Sequence, residues 1–122
     1  MSGPFPEDSA SRKTYPLYSG VLQYFPDALA AVAHHSYLGN EKHNPGQPLH
    51  WARGKSDDHL DAAARHLVEG DLVGLAWRAL AALQLQREAD TKADAAALDQ
   101  LAQFEPKSTR DLLSEYLARP QL

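Results

Sequence analysis

The chain has 122 residues, with 12 lysines and arginines against 16 aspartates and glutamates, and a net charge of −4. This length fits one domain with a single core, and the negative charge disfavours non-specific binding to nucleic acid, which depends on neutralising phosphates. The absence of cysteine excludes disulfides and thiolate–metal sites. No apolar run approaches the roughly 20 residues that cross a bilayer, so we expect no membrane association and a cytoplasmic location.

The first 25 residues carry no clear helical pattern. Residues 1–14 are rich in glycine, proline, serine and charge, which is typical of a flexible terminal segment. Residues 15–25 are aromatic and apolar and include a proline and a glycine, which predicts an ordered, extended lead-in. We expect residues 15–122 to form a single helical domain.

Two helices follow the lead-in. Proline suits the first position of a helix, which predicts a helix from Pro26 to about Asn40. Ser56 is a good N-cap for a second helix, which ends at about Glu69 because Gly70 follows. The leucines and alanines of the second helix form a predicted apolar stripe, made of Leu60, Ala63, Ala64 and Leu67.

The third predicted helix runs from Leu72 to about Ala89 behind an Asp71 cap. It is apolar nearly all round, a pattern that favours burial against another subunit in so short a chain. A C-terminal helical extension starts near residue 91 and ends in a short helix capped by Ser108. No segment shows the alternation of a strand, so the predicted fold class is all-α.

The connection between the first two predicted helices is basic. From Lys42 to Ser56 it contains Lys42, Arg53, Lys55 and two histidines, and no acid. Trp51 lies within it, and its indole could either plug the core or stack on a base. Cations of this kind can hold phosphates.

Acidic residues follow immediately. Asp58 and Asp61 are one helical turn apart, so both carboxylates could reach one ion, and Glu41 could supply a third oxygen. Arg65, one turn further on, could pair with a carboxylate or contact a phosphate. Cations beside carboxylates suit a nucleoside triphosphate with Mg²⁺, although a solvated acidic first turn would also complement the helix dipole.

Four segments resemble the phage and bacterial dATP/dGTP diphosphohydrolases, a family similar to the MazG-like all-α nucleoside triphosphate pyrophosphohydrolases. The segments are YSGVLQYFPDALAAVA, GNEKHNPGQPLHWARGKS, DDHLDAAARHL and LAWRALAALQLQ. The resemblance implies a MazG-like helical bundle that assembles as a homo-oligomer, a dimer or a tetramer. It also implies hydrolysis of dGTP or dATP to the monophosphate and pyrophosphate with Mg²⁺ or Mn²⁺, in phage nucleotide metabolism and therefore in the host cytoplasm.

Carried over by position, the family's paired acids fall on Asp58 and Asp61, with aspartate in place of the usual glutamate at the first position. Of the several glutamates on the preceding helix only Glu41 remains, which leaves the number of metal ions open. These three residues are the expected catalytic and metal-binding set. The expected substrate-binding residues are Tyr18, Asn40, Lys42, His43, Asn44, Trp51, Lys55 and Arg65.

Two other functions compete with this interpretation. A triphosphohydrolase of the HD type would release tripolyphosphate, but it needs an adjacent His-Asp pair, and the sequence contains no such dipeptide. A non-catalytic helical scaffold or nucleotide sensor would use the acids and the basic loop only for solubility and packing.

Overall fold

The computed structural model describes residues 3–104 and 107–120. Within these residues every regular element is helical, which confirms the all-α prediction. None of the described helices is long and apolar enough to cross a membrane. The elements are α1 (Ser9–Arg12), a π-helical turn (Tyr18–Leu22), α2 (Pro26–His43), α3 (His59–Glu69), α4 (Leu72–Ala102) and α5 (Thr109–Leu117).

The N-terminal region is more helical than the sequence pattern predicted. Asp8 caps α1 by accepting a hydrogen bond from the Ser11 amide at 2.8 Å. Residues 18–22 form a π-helical turn where an extended lead-in was expected, and the Gln23 amide donates to the Tyr18 carbonyl. Proline is tolerated in the first turn of a helix, so Pro16 does not prevent this turn.

Helix α2 begins at Pro26 as predicted but continues to His43, three residues past the predicted end. Gly39 does not end the helix, and its φ is not positive. The last turn instead closes through the Asn44 amide, which donates to the Asn40 carbonyl at 2.6 Å.

Helix α3 begins at His59, later than predicted, and Asp58 rather than Ser56 is its N-cap residue. Its end is as predicted, because Gly70 adopts a left-handed conformation with φ 74°. Glycine takes this conformation without the strain that a Cβ atom would bring.

The two helices predicted between residues 72 and 104 are one helix, α4, of 31 residues. The sequence has no glycine or proline from residue 75 to residue 105, so nothing in it interrupts the helix. The predicted last helix is confirmed as α5, whose N-cap Ser108 accepts from the Asp111 amide at 3.2 Å.

The chain divides into two compact units, Met1–Gln84 and Leu85–Leu122. No described residue of the second unit is buried, and its polar contacts include an ion pair between Lys107 and Glu115. The sequence prediction of a single domain with an extension from about residue 91 stays a prediction.

The first unit contains the buried residues, and they are small or polar. Ala62, Ala63 and Ala81 are the buried apolar residues, and Asn40 and His59 the buried polar ones, among the residues described. The predicted apolar stripe of α3 is therefore turned outward in part, since only Ala63 of its four residues is buried.

Candidate functional site

Trp77, on α4, lies at the centre of the first unit. Its indole N–H donates to Ser36 Oγ on α2 at 2.7 Å. Its ring centroid lies 6.2 Å from that of His35, 6.0 Å from that of Trp51 and 6.3 Å from that of His59. One aromatic residue thus joins α2, the connecting loop, α3 and α4.

Arg78, the next residue, connects this centre to the start of α3. Its Nη1 donates to Ser56 Oγ at 3.1 Å and lies 3.1 Å from His59 Nδ1. A guanidinium has no acceptor, so His59 Nδ1 must accept, which places the imidazole proton on Nε2. That Nε2 atom is buried and has no hydrogen-bond partner among the described residues.

Asp58 is the acidic end of this network. Its Oδ1 accepts from the Ser56 hydroxyl at 2.8 Å and its Oδ2 from Arg65 Nη2 at 2.9 Å. The hydrogen bond from Arg65, followed by that from Ser56, lowers the pKa of Asp58 from 3.8 to about 2. The Asp58 side chain is 45% exposed, so solvent reaches the carboxylate. Of the two roles considered for Arg65, pairing with a carboxylate is the one observed.

A second aspartate shapes the corner between α3 and α4. Asp71 Oδ1 accepts from the Gly74 amide at 3.0 Å, and this bond lowers the pKa of Asp71. His66 Nδ1 lies 3.0 Å from Asp71 Oδ2, which is the distance of an ion pair but without the angle of a hydrogen bond. Gly74 permits this approach, because a Cβ atom there would lie 2.5 Å from His66 Nδ1.

The basic loop is tied to α2 by Asn40. The Asn40 amide donates through Nδ2 to the Gln47 carbonyl at 2.9 Å, and its Oδ1 accepts from the His50 amide at 3.2 Å. Asn40 is buried, so its side chain holds the loop in place.

The polar residues expected to bind substrate near the loop are exposed. Lys42 and His43 form the last turn of α2, Asn44 is its C-cap, and Lys55 lies in the loop before α3. They therefore border the loop that Asn40 closes, open to solvent.

The two aromatic candidates for base stacking differ. Trp51 is half-buried with its edge on Trp77, and the Arg53 guanidinium lies 4.4 Å from its ring centroid, so it packs in the core and also carries a cation. Tyr18, in the π-helical turn, is 67% exposed and has a ring open for stacking.

The three expected metal ligands are placed but not grouped. Glu41 lies in the last turns of α2, Asp58 at the N-cap of α3 and Asp61 in its first turn. Across residues 3–104 and 107–120, no three histidine, aspartate or glutamate side chains are arranged to hold one metal ion. Glu41, Asp58 and Asp61 thus do not form a three-ligand site within one chain.

Sequence reasoning did not assign a role to His59, Trp77 or Arg78. The signal for His59 was present, because His59, Ala62, Ala63 and His66 recur at the spacing of one helix face. That face carries histidines and alanines, whereas the predicted apolar stripe was centred on leucines. The role of Arg78 depends on which turn of α4 meets Ser56, and no sequence pattern specifies this.

No protein-family model, curated protein or solved structure matches this chain. Its function is therefore inferred from its residues, their geometry and the motif resemblance.

Proposed function

We propose that this chain is a nucleotide diphosphohydrolase that converts purine deoxynucleoside triphosphates, dGTP or dATP, to the monophosphate and pyrophosphate. The observation that carries the proposal is the state of Asp58. Its carboxylate lies at the N-cap position of α3 but makes no capping bond, and it is exposed to solvent beside Arg65. The motif resemblance supplies the reaction.

The proposed ion is Mg²⁺ or Mn²⁺. A resident ion with three protein carboxylates does not fit the arrangement in one chain. An ion that binds together with the triphosphate needs fewer protein ligands, because Mg²⁺ commonly takes one or two carboxylates with substrate phosphates and waters. Asp58 and Asp61, one turn apart at the start of α3, suit that role, with Glu41 near the other end of the loop. When bound, the ion would supply charge neutralisation and an acidified water.

The basic residues of the site would hold the phosphates. Lys42, His43, Lys55 and Arg65 are all exposed and border the loop or the start of α3. Positive groups fixed beside the phosphates stabilise the charge that develops on the leaving group. To bind a phosphate, Arg65 would break its ion pair with Asp58. Phosphate binding would therefore be coupled to release of the Asp58 carboxylate.

The proposed reaction is attack of water on the α-phosphorus. The new P–O bond forms to the water oxygen, the α–β bridging P–O bond breaks, and pyrophosphate leaves with the bridging oxygen. Tyr18 is the proposed stacking residue, and a purine would gain more from stacking than a pyrimidine because its ring is larger. Asn44, exposed at the end of α2, is placed to contact the base or ribose.

The test is hydrolysis in ¹⁸O water with each of the four deoxynucleoside triphosphates and Mg²⁺ or Mn²⁺. Mass spectrometry and ³¹P NMR should find the label in the monophosphate and unlabelled pyrophosphate, with dGTP and dATP turned over fastest. Labelled pyrophosphate, orthophosphate or tripolyphosphate as the primary product would contradict the mechanism. Chelation of the divalent ion should stop the reaction.

A non-catalytic scaffold or nucleotide sensor is the second candidate. It is favoured by the lack of a three-ligand group in the described residues. A sensor would bind nucleotide, as measured by calorimetry, whereas a scaffold would not. Neither would release product in the hydrolysis assay.

A further inference from the structure

Two side chains hold Asp58, and they are themselves fixed to different degrees. Arg65 binds Oδ2 through a long side chain that is 62% exposed. Ser56 binds Oδ1 through a short side chain that is half-buried. An exposed ion pair contributes little in water, partly because ordering a long side chain costs entropy. The orientation of the Asp58 carboxylate therefore depends chiefly on what holds Ser56.

Arg78 is the residue that holds Ser56. Its Nη1 atom lies 3.1 Å from Ser56 Oγ and 3.1 Å from His59 Nδ1, and Nη1 carries two hydrogens, one for each acceptor. His59 is buried, and the guanidinium carbon of Arg78 lies 5.7 Å from a ring centroid of Trp77. The guanidinium is itself half-buried between these two rings and Ser56. Arg78 is therefore anchored in the packed part of the first unit, unlike Arg65.

The Arg78 contact also sets the direction of the Ser56 hydroxyl. A guanidinium only donates, so the Ser56 oxygen accepts from Arg78. The single proton of the hydroxyl is then directed to Asp58 Oδ1, 2.8 Å away. Hydrogen bonds in series polarise and strengthen one another. Arg78, Ser56 and Asp58 thus form a directed chain, which starts on α4 and ends at the N-cap of α3.

We propose that Arg78 is a positioning residue of the candidate site, and that it acts through the Ser56 hydroxyl to hold the Asp58 carboxylate in one orientation. This assigns different roles to the two partners of Asp58. Arg65 is the partner that exchanges between the carboxylate and a phosphate, and Ser56 is the partner that stays. The proposal rests on the proposed function for the use made of Asp58, whereas the chain itself can be tested without nucleotide.

Arg78→Lys tests the chain, because it keeps the positive charge and most of the apolar stem. Lysine Nζ ends one bond short of the Nη1 atom and lacks the planar fork, so it should not hold both acceptors. Arg87→Lys, at an exposed arginine of the same helix, is the matched control. The measurement is the three-bond NMR coupling of Asp58 Cγ to its own backbone nitrogen and carbonyl carbon, which reports the χ1 rotamer.

The native protein and Arg87→Lys should show the couplings of one Asp58 rotamer, and Arg78→Lys should show averaged couplings. Circular dichroism of all three proteins should give the same helix content. A single native rotamer in Arg78→Lys, or averaged couplings in the native protein, would overturn the proposal.

A second variant shows whether Arg78 acts through Ser56. Ser56→Ala should average the Asp58 couplings as Arg78→Lys does, and the double variant should average them no further than Ser56→Ala alone. Two residues that act in one chain are not additive in such a cycle. If Arg78→Lys changes the Asp58 couplings equally with and without the Ser56 hydroxyl, Arg78 acts by another route and the proposal is wrong.

The hydrolysis assay connects this chain to the proposed function. Arg78→Lys should raise the Mn²⁺ concentration for half-maximal turnover by roughly 10-fold, because residues that orient a metal ligand affect metal affinity by this much or more. Arg87→Lys should leave it unchanged. An unchanged Mn²⁺ requirement in an active Arg78→Lys variant would overturn the proposal but not the proposed function. Native protein that hydrolyses no nucleotide, yet shows the expected couplings, would refute the proposed function and leave the positioning of Asp58 intact.

Discussion

Two helices of the first unit begin at an aspartate, and the two aspartates are used differently. Asp71, before α4, accepts a backbone hydrogen bond from Gly74 and so caps its helix. Asp58, the N-cap residue of α3, makes no such bond and is held by Ser56 and Arg65. Both carboxyl pKa values are lowered, one by a backbone amide and the other chiefly by a guanidinium. Asp58 thus bonds to side chains and not to the backbone of its own helix, and this exposed acid is the one that the proposed site uses.

The largest expected effect is on nucleotide hydrolysis and distinguishes Asp58 from Asp71. Asp58→Asn should lower nucleotide hydrolysis by roughly 100-fold or more, because loss of an ion-binding charge removes several kcal/mol of transition-state stabilisation. Asp61→Asn should do the same. Asp71→Asn is the control, since asparagine caps a helix as well as aspartate does, and it should retain turnover. Wild-type turnover by either α3 variant in a steady-state assay would show that its carboxylate is not used.

The next effect concerns the corner that Asp71 builds. Gly74→Ala should destabilise the fold by about 1–3 kcal/mol, because overpacking forces side chains or backbone to move. The added Cβ would lie 2.5 Å from His66 Nδ1 and 2.6 Å from Asp71 Oδ2. Gly39→Ala, in the middle of α2 with no atom within 4 Å of a new Cβ, should instead be neutral or stabilising. Urea denaturation of both variants measures the difference, and equal midpoints would refute the close packing.

Replacing each acid separately with alanine compares the contributions of Asp58 and Asp71 to stability. Asp71→Ala loses a helix cap and should lower the thermal midpoint by about 2–5 °C. Asp58→Ala loses only an exposed ion pair and a hydroxyl contact, which contribute little to stability in water. The two melting curves by circular dichroism should therefore separate. If Asp58→Ala melts as low as Asp71→Ala, then Asp58 is structural.

The smallest effect is a titration. Arg65→Ala should raise the pKa of Asp58 from about 2 toward its ordinary 3.8, as followed by carboxyl ¹³C NMR. Because the folded pKa lies below the unfolded one, the pair stabilises the fold above pH 3.8 and that contribution is lost as pH falls through about 2. The native protein should thus lose more stability over this interval than the Arg65→Ala variant. An unchanged Asp58 titration would show that the pair does not form in solution.

Local signals predicted much of the fold. Pro26, Gly70 and Ser108 marked helix ends correctly because a fixed φ, a left-handed conformation and a hydroxyl cap act within a few residues. The predicted start of α3 and the predicted length of α4 were wrong. Ser56 looked like a cap, but Arg78, more than twenty residues away, takes its hydroxyl, and only tertiary contact can decide that.

The sequence predicted which residues form the candidate site but not which of them contact one another. The basic loop and the acids at the start of α3 were readable from the sequence, and so was the option that Arg65 pairs with a carboxylate. The contacts that Arg78 makes with Ser56 and His59, and the burial of His59, depend on the packing of α4. The outward leucines of α3 were missed because a helical period shows which residues share a face, not which way that face points.

The Asn40 contacts divide the connection between α2 and α3 into two stretches with different tolerance to insertion. Residues from Asn44 to His50 are enclosed between the end of α2 and the two backbone groups that Asn40 binds, so an added residue there would break a hydrogen bond. Beyond Trp51 the chain makes an open turn in which the Lys55 amide donates to the Ala52 carbonyl. A Cβ atom added at Gly54 would meet no atom within 4 Å. A peptide tag or fluorophore sequence placed at Gly54 would therefore sit on the surface without disturbing the closed stretch.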